Sequence, residues 1–256
     1  MITEAKKRQK VAMAKAHAEA DRLVAGFFTE QESIRGCSVG CDAFDIREIK
    51  GENWDLDAEP NGNIHAYVAD YFGTPEWLEH LRDVIFEELP EQARSEWHVN
   101  IAEALPVGVD FKPIKHSIFR DILLEVVLPL VADGNEDSHR ACRDAVQSVA
   151  TLHDRAITEN IELAEWDAAS AAASAASAAA RAAWDARAAR DAAWAAAMAA
   201  AWAARAAWDA RAAASAARDA AWAAAMAAAW AAWAAAWADA FEKIAEITLK
   251  HLREAA

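Results

Sequence analysis

Apolar residues recur at helical spacing along most of the first 160 residues. Residues 3–25 carry Ala, Val, Met and Leu three or four positions apart, which predicts a first helix. Another helix is predicted to begin at Thr74-Pro75-Glu76, because a capping hydroxyl, a proline and an acid are typical of a helix start. The residues predicted for one face of that helix are Trp77, Leu78, Leu81, Val84, Ile85 and Leu89.

Four further stretches show the same periodicity between short breaks: residues 63–71, 91–105, 114–128 and 137–158. Residues 36–62 are predicted to form a glycine-punctuated segment followed by an acidic loop. No pair of alternating runs predicts a sheet. We therefore predict an all-α fold, with a compact acidic helical domain over residues 1–160 and an Ala/Trp-rich helical region over residues 161–256.

The region from Trp166 to Ala240 is unusually simple, since 48 of its 75 residues are Ala and it holds nine of the 12 Trp. The sequence RDAAWAAAMAAAWAA occurs at residues 190–204 and again at 218–232. Alanine is the best helix former and no Gly or Pro follows Gly134, so the tract is predicted to be helical. Its Trp occupy three of the seven heptad positions, which predicts long helices that form a helical bundle or a coiled-coil-like seam. The predicted seam residues are Trp184, Trp194, Met198, Trp202, Trp208, Trp222, Met226, Trp230, Trp233 and Trp237.

Large aromatic rings on an alanine helix predict an association surface, because Trp is a frequent anchor in protein interfaces. We expect a homo-oligomer and a protein partner whose identity the sequence does not reveal. The alternative is a solvated alanine helix whose Trp only cover the neighbouring domain. Residues 220–238 carry no charge and are long enough to span a membrane. However, Ala is only marginally hydrophobic and the Trp are scattered through the middle of this run, so we predict no membrane span.

The net charge of the chain is strongly negative and comes from the residues outside the tract. The whole chain has a net charge of −15, and the tract contributes six Arg against six Asp. This balance disfavours direct nucleic-acid binding, which requires Lys and Arg, but it leaves an acidic nucleic-acid mimic as an alternative. The charged N-terminus lacks an apolar signal region, which predicts a cytoplasmic protein. Three Cys disfavour a disulfide framework.

The strongest candidate for chemistry is the pair Cys37 and Cys41. Its spacing fits one half of a zinc site, and Gly40 would let the backbone turn so that both thiolates face the ion. His65 is the predicted third metal ligand, and the fourth could be any of Cys142, His98, His116 and His139. The alternative is that both Cys are small buried apolar residues, which is common.

No nucleotide-binding or esterase motif is present, and acidic pairs such as Glu87-Glu88 are typical of solvated faces. The leading hypothesis is therefore a non-enzymatic helical protein that acts through protein–protein interaction, with no cofactor. The alternative is a small metalloprotein or metalloenzyme that holds zinc through Cys37, Cys41 and His65.

Several motifs together resemble a known kind of protein: GCSVGC at 36–41, His65, GTPEWLEHL at 73–81 and FEELP at 86–90, before the Ala/Trp/Arg/Asp tail. The chain resembles uncharacterised phage and bacterial proteins that pair such an N-terminal region with an alanine-rich helical tail. The resemblance implies an origin on a mobile element and favours a phage-encoded inhibitor of a host protein. It transfers no activity and no functional residue.

Overall fold

The computed structural model describes residues 1–25, 35–52, 63–130, 137–169, 171, 172, 175 and 238–256. Every regular element in these residues is a helix, so the predicted all-α fold is confirmed. Their β pairing is limited to one isolated parallel bridge between Leu23 and Gly36. Among these residues no helix combines the length and the apolar character that a membrane crossing requires. The uncharged run at 220–238 lies outside them except for its last residue.

The chain divides into two compact units. The first comprises Met1–Ile122, His153–Asn160 and Ala238–Ala256, and the second comprises Leu123–Leu152 and Ile161–Trp237. Contacts therefore place residues 238–256 with the first unit, whereas composition groups them with the Ala/Trp tract.

The helices of the first unit are α1 (Glu4–Glu19), α2 (Ser38–Lys50), α3 (Ile64–Phe72), α4 (Glu76–Glu88), α5 (Glu91–Ala104) and α6 (Phe111–Ile122). Helix α1 packs against α5, α2 and α3, while α2 also contacts α3 and α4. Residues 238–254 form a further helix, whose buried side chains are Ala245, Ile247, Thr248 and Leu252.

The second unit begins with a π-helical turn, Leu123–Val127, which leads into the short helix α7 (Leu128–Leu130). Helix α8 (Asp137–Ala156) follows, and its last residues belong to the first unit. Residues 163–169 are also helical. All the residues of the predicted seam, from Trp184 to Trp237, lie outside the described residues.

The prediction of a glycine-punctuated segment and loop over residues 36–62 is wrong for Ser38–Lys50, which form helix α2. Cys37 is its N-cap residue, and the Cys37 Sγ accepts a hydrogen bond from the Gly40 backbone N–H at 3.4 Å. This contact satisfies one of the free N–H groups of the first turn, which offsets the low helix propensity of glycine there. Gly51 ends the helix in the left-handed conformation with φ 68°. Eight of the 13 residues of α2 are buried, so α2 lies inside the unit rather than on its surface.

Helix α4 also differs from its prediction. Pro75 is the N-cap residue, and the Thr74 hydroxyl donates to Glu79 Oε1 at 2.6 Å instead of capping the helix. The predicted apolar face is wrong in part, because Val84 is 52% exposed. The buried side chains of α4 are Leu78, Glu79, Arg82, Asp83, Ile85 and Phe86. Three of these are charged, and they can be buried because they have partners on neighbouring elements.

Candidate functional site

Four charged side chains from three helices form a buried ionic network: Lys10, Asp42, Glu79 and Arg82. The Lys10 ammonium donates to Asp42 Oδ2 at 3.0 Å and to Glu79 Oε1 at 3.2 Å. Arg82 donates from Nη1 to Asp42 Oδ2 at 2.7 Å, and its Nη2 lies 2.8 Å from Glu79 Oε2. Each side chain is at most 2% exposed. Two cations face two carboxylates, so the network carries no net charge, as buried ions require.

The network keeps its members ionised. Burial opposes ionisation of Asp42, but Lys10 and Arg82 hold the pKa of this carboxyl well below its usual range. Burial likewise opposes the ionised form of Glu79, whose pKa is nevertheless lowered by Arg82 and Lys10. Burial would also lower the pKa of Arg82, but Glu79 and Asp42 raise it.

A hydrogen-bonded chain of four polar side chains lies beside this network. His17 Nε2 is 2.9 Å from Asp45 Oδ2, and His17 Nδ1 is 3.2 Å from His98 Nε2. His98 Nδ1 is in turn 3.0 Å from Ser38 Oγ. Burial holds the pKa of His98 well below its usual value, so this imidazole is neutral at physiological pH.

Asp42 connects the network to the two imidazoles. Its Oδ2 accepts from Lys10 and Arg82, whereas its fully buried Oδ1 has no hydrogen-bond partner and lies 3.9 Å from His17 Nδ1. One ligand atom each from His17, Asp42 and His98 lies within 4.8 Å of the others. We call these three residues the histidine site.

A second set of possible ligand atoms includes the thiol of Cys37. One ligand atom each from Cys37, Asp83 and Glu87 lies within 4.8 Å of the others, and we call these residues the cysteine site. Cys37 caps α2, while Asp83 and Glu87 are one helical turn apart on α4. Cys37 and Asp83 are buried and Glu87 is half-buried, so the site reaches the protein surface through Glu87.

The Asp83 carboxylate has one oxygen available to a further ligand. Its Oδ2 lies 3.1 Å from His65 Nε2, whereas its Oδ1 has no hydrogen-bond partner. Burial opposes ionisation of Asp83, but hydrogen bonds from His65 and Cys37 lower its pKa. Burial, followed by the charge of Asp83, raises the pKa of the Cys37 thiol well above its usual range. In the absence of an ion, Cys37 is therefore a neutral thiol.

The structure distributes the three sequence-predicted metal ligands over different positions. Of Cys37, Cys41 and His65, Cys37 belongs to the cysteine site and His65 contacts the Asp83 carboxylate. The His65 ring also stacks on His80, with 3.8 Å between ring centroids. The Cys41 Sγ points to backbone carbonyls, 3.6 Å from Arg22 O and 3.5 Å from Gly36 O, and burial raises the pKa of this thiol to about 12.

The residues considered as a fourth ligand are also dispersed. His98 belongs to the histidine site, and His116 Nδ1 lies 2.9 Å from His153 Nδ1. Cys142 is half-buried on α8. The side chain of His139 lies outside the described part of the chain.

Several of these site residues were not identified from the sequence. Lys10 and His17 share the buried face of α1 with Met13 and Ala14, and this spacing is visible in the sequence as a Lys and a His on an apolar stripe. Glu87 was expected on a solvated face, but it is half-buried and belongs to the cysteine site. The sequence signal for this position is the four-residue spacing between Asp83 and Glu87, which places both carboxylates on the same side of the predicted helix.

Comparison with known proteins gives no match. No protein family model fits the chain, and no curated protein or solved structure is significantly similar to it. Functional inference therefore depends on the geometry of the two sites.

Proposed function

We propose that the first unit is a metal-binding helical domain whose ion is held by Cys37, Asp83 and Glu87. The proposal is carried by the convergence of three ligand atoms within 4.8 Å, at a carboxylate whose Oδ1 accepts no hydrogen bond. The ion would join the start of α2 to the exposed end of α4. Its role would be structural, because it would add a link between α2 and α4, which are in contact and also joined by the ionic network.

The charge of the cysteine site favours a cation. With Cys37 ionised, the three ligands carry three negative charges. Of the groups that act on Asp83, Arg82 is already paired with Asp42 and Glu79, and His65 contacts Asp83 Oδ2. Burying several like charges is costly, and a divalent ion would reduce the charge of the site from −3 to −1. Zinc suits this donor set, because it accepts thiolate and carboxylate ligands and leaves a fourth position to water.

Ion binding at this site would be linked to proton release. The thiolate is the metal ligand, so the proton on Cys37 must leave to solvent when the ion binds. The Gly40 N–H, 3.4 Å from Sγ at the start of α2, would stabilise the negative sulfur. We therefore expect zinc affinity to rise with pH.

A titration of the full chain with Co²⁺ tests this proposal. Cobalt in the cysteine site gives a saturable thiolate-to-cobalt charge-transfer band in the near ultraviolet, which added zinc abolishes. Cys37→Ser is expected to remove the band. Cys41→Ser is the matched control, because Cys41 is another buried thiol one turn along α2, and this variant is expected to keep it. Glu87→Gln, at a half-buried position, is expected to weaken binding, because it removes the negative charge of one proposed ligand.

Circular dichroism of each variant shows that it is folded before cobalt is added. A wild-type protein that shows no charge-transfer band contradicts the proposal. Loss of the band in both cysteine variants would instead support the ligand pair Cys37 and Cys41.

We propose in addition that the Ala/Trp tract drives association of the protein with itself and with a partner in the cytoplasm. The observation that favours this second function is the 28-residue repeat with its Trp at three heptad positions. Trp anchors on an acidic protein suit an inhibitor of a host protein. A nucleic-acid mimic would instead bind a basic partner in a salt-sensitive manner.

Light scattering tests self-association. A variant with four Trp changed to Ala should keep its helical content but have a lower molecular mass in solution. The four residues are Trp194, Trp202, Trp222 and Trp230. The control changes the preceding Ala to Ser and should keep the mass, the residues being Ala193, Ala201, Ala221 and Ala229. An unchanged mass in the Trp variant would rule out the seam as an oligomer contact.

A further inference from the structure

We infer that the first unit holds a second ion, Zn²⁺ or Fe²⁺, in a chemically different site between His17, Asp42 and His98. The facing ring nitrogens, His17 Nδ1 and His98 Nε2, are 3.2 Å apart, and Asp42 Oδ1 lies 3.9 Å from the first of them. Ligand atoms around a tetrahedral zinc ion with bonds of about 2.0–2.1 Å stand roughly 3.3 Å apart. The two imidazole nitrogens are therefore already at the spacing that an ion imposes, and the Asp42 oxygen would have to move closer to them.

The unpartnered oxygen of Asp42 is the independent evidence for a ligand. Asp42 is fully buried, and its Oδ1 accepts no hydrogen bond although Oδ2 accepts two. An unsatisfied buried carboxylate oxygen is costly and rare, and an ion at the histidine site would satisfy it. Lys10 and Arg82 hold Oδ2, so they fix the direction in which Oδ1 points.

Both imidazoles are oriented through the ring nitrogen that faces away from the site. His17 Nε2 contacts the Asp45 carboxylate at 2.9 Å, and His98 Nδ1 contacts the Ser38 hydroxyl at 3.0 Å. Metal-binding histidines are held in the same way, by a carboxylate or another polar group on the second nitrogen. Two imidazoles and one carboxylate, with the remaining positions left to water, are ligands of zinc and of non-haem Fe²⁺.

The histidine site can hold an ion after a change of tautomer at His98. Without an ion, one set of neutral tautomers satisfies the hydrogen-bonded chain: Ser38 donates to His98, His98 Nε2–H donates to His17, and His17 Nε2–H donates to Asp45. An ion needs the lone pair of His98 Nε2, so that proton moves to Nδ1, which then donates to Ser38 Oγ. This exchange of tautomers frees the lone pair of His98 Nε2 for an ion.

Charge sets the order in which the two sites fill. The charged groups around the histidine site balance, with three cations and three carboxylates: Lys10, Arg22 and Arg82 against Asp42, Asp45 and Glu79. An ion adds two positive charges to this neutral surrounding, while at the cysteine site it offsets negative charge. We therefore expect the cysteine site to bind the first equivalent and the histidine site the second.

The deciding experiment uses the full-length Cys37→Ser protein, in which the cysteine site lacks its thiol. We expect it to bind one Co²⁺ per chain, with d–d absorption and no thiolate-to-cobalt band. X-ray absorption of the zinc-loaded protein should show nitrogen and oxygen ligands, including two imidazoles, and no sulfur.

Two further variants locate the ion. In the Cys37→Ser background, His98→Gln should abolish Co²⁺ binding. His116→Gln is the control, since His116 belongs to the first unit but to neither site, and this variant should bind normally. If His98→Gln does not fold, the imidazole count from X-ray absorption decides the question alone.

The outcomes separate this inference from the proposed function. A folded Cys37→Ser protein that binds no ion, or binds one without imidazole, overturns the histidine site, and a charge-transfer band in the wild type would still support the cysteine site. If the wild type shows no charge-transfer band and the zinc in Cys37→Ser has two imidazole ligands, the cysteine site is overturned and the histidine site is supported.

Discussion

Lys10 places an ammonium group inside the first unit, where 1% of the residue is exposed and Asp42 and Glu79 are its partners. A buried ion pair adds little net stability, because desolvation offsets most of the Coulomb attraction. Removing one member is different, since it leaves the remaining charges buried and unbalanced. Lys10 therefore matters because it fixes α1 to the carboxylates of α2 and α4.

We expect Lys10→Met to lower the free energy of unfolding by about 3–5 kcal/mol. Lys15→Met is the control on the same helix. Lys15 pairs with Glu103 at 2.7 Å, but both side chains are about half exposed, at 52% and 46%. Such surface pairs contribute at most about 1 kcal/mol. Urea denaturation of the metal-free proteins measures both values, and equal losses would contradict a special role for Lys10.

The sequence allowed Cys37 to be selected, but it did not reveal the partners of Cys37. A Lys or Asp on an apolar stripe is usually solvated, because its burial is costly unless a partner is present. The partners of Lys10 lie 32 and 69 residues away, so only the fold brings them together. The same holds for Cys37, whose neighbours Asp83 and Glu87 are on another helix. Local spacing cannot predict sites assembled in this way.

Among the helices, the amphipathic ones could be predicted from the sequence, whereas the largely buried helix α2 could not. The predicted stretches 63–71 and 91–105 correspond closely to Ile64–Phe72 and Glu91–Ala104. Helix α2 was missed because it is buried on several sides, so its apolar residues form no single stripe. The glycine in its first turn also gave a turn signal that the Cys37 cap overrides.

The loop between α3 and α4 gives a prediction at this scale. Gly73 has a left-handed φ of 77°, and a Cβ there would lie 2.8 Å from the Met1 carbonyl oxygen. Gly51 has a similar φ of 68° but no atom within 4 Å of such a Cβ, so Gly51→Ala measures the backbone strain alone. We expect a loss of about 1 kcal/mol for Gly51→Ala and roughly 3 kcal/mol for Gly73→Ala. Thermal unfolding compares the two, and equal losses would show that the Met1 contact is unimportant.

At the scale of the whole molecule, the first unit is assembled from three separate segments of the chain. Composition suggests a boundary near residue 161, yet Ile247 and Leu252 are buried and His251 Nε2 lies 2.7 Å from Asp121 Oδ2. Burial opposes ionisation of Asp121, but hydrogen bonds from Arg120 and His251 lower its pKa. The helix at 238–254 is therefore an integral part of the unit that contains both candidate sites.

We expect Leu252→Ala to destabilise the first unit by about 2–5 kcal/mol, because Leu252 is fully buried. Ile49→Ala on α2 is the control, since Ile49 is 56% exposed and surface changes usually cost about 0.5 kcal/mol or less. Hydrogen exchange of the α2 and α4 amides reports the stability of this unit directly. Unchanged exchange in Leu252→Ala would mean that residues 238–254 do not support these helices.

The three-segment assembly also determines when the protein can fold during its synthesis. Asp121 and His251 are 130 residues apart, and ribosomes add about 5–20 residues per second. The earlier helices therefore wait for roughly 7–26 s until the helix at 238–254 emerges. During this time the whole alanine–tryptophan tract is translated while the unit lacks its last helix. The first unit is thus completed only after the tract has been translated, and a ribosome that stops within the tract would leave this unit without its last helix.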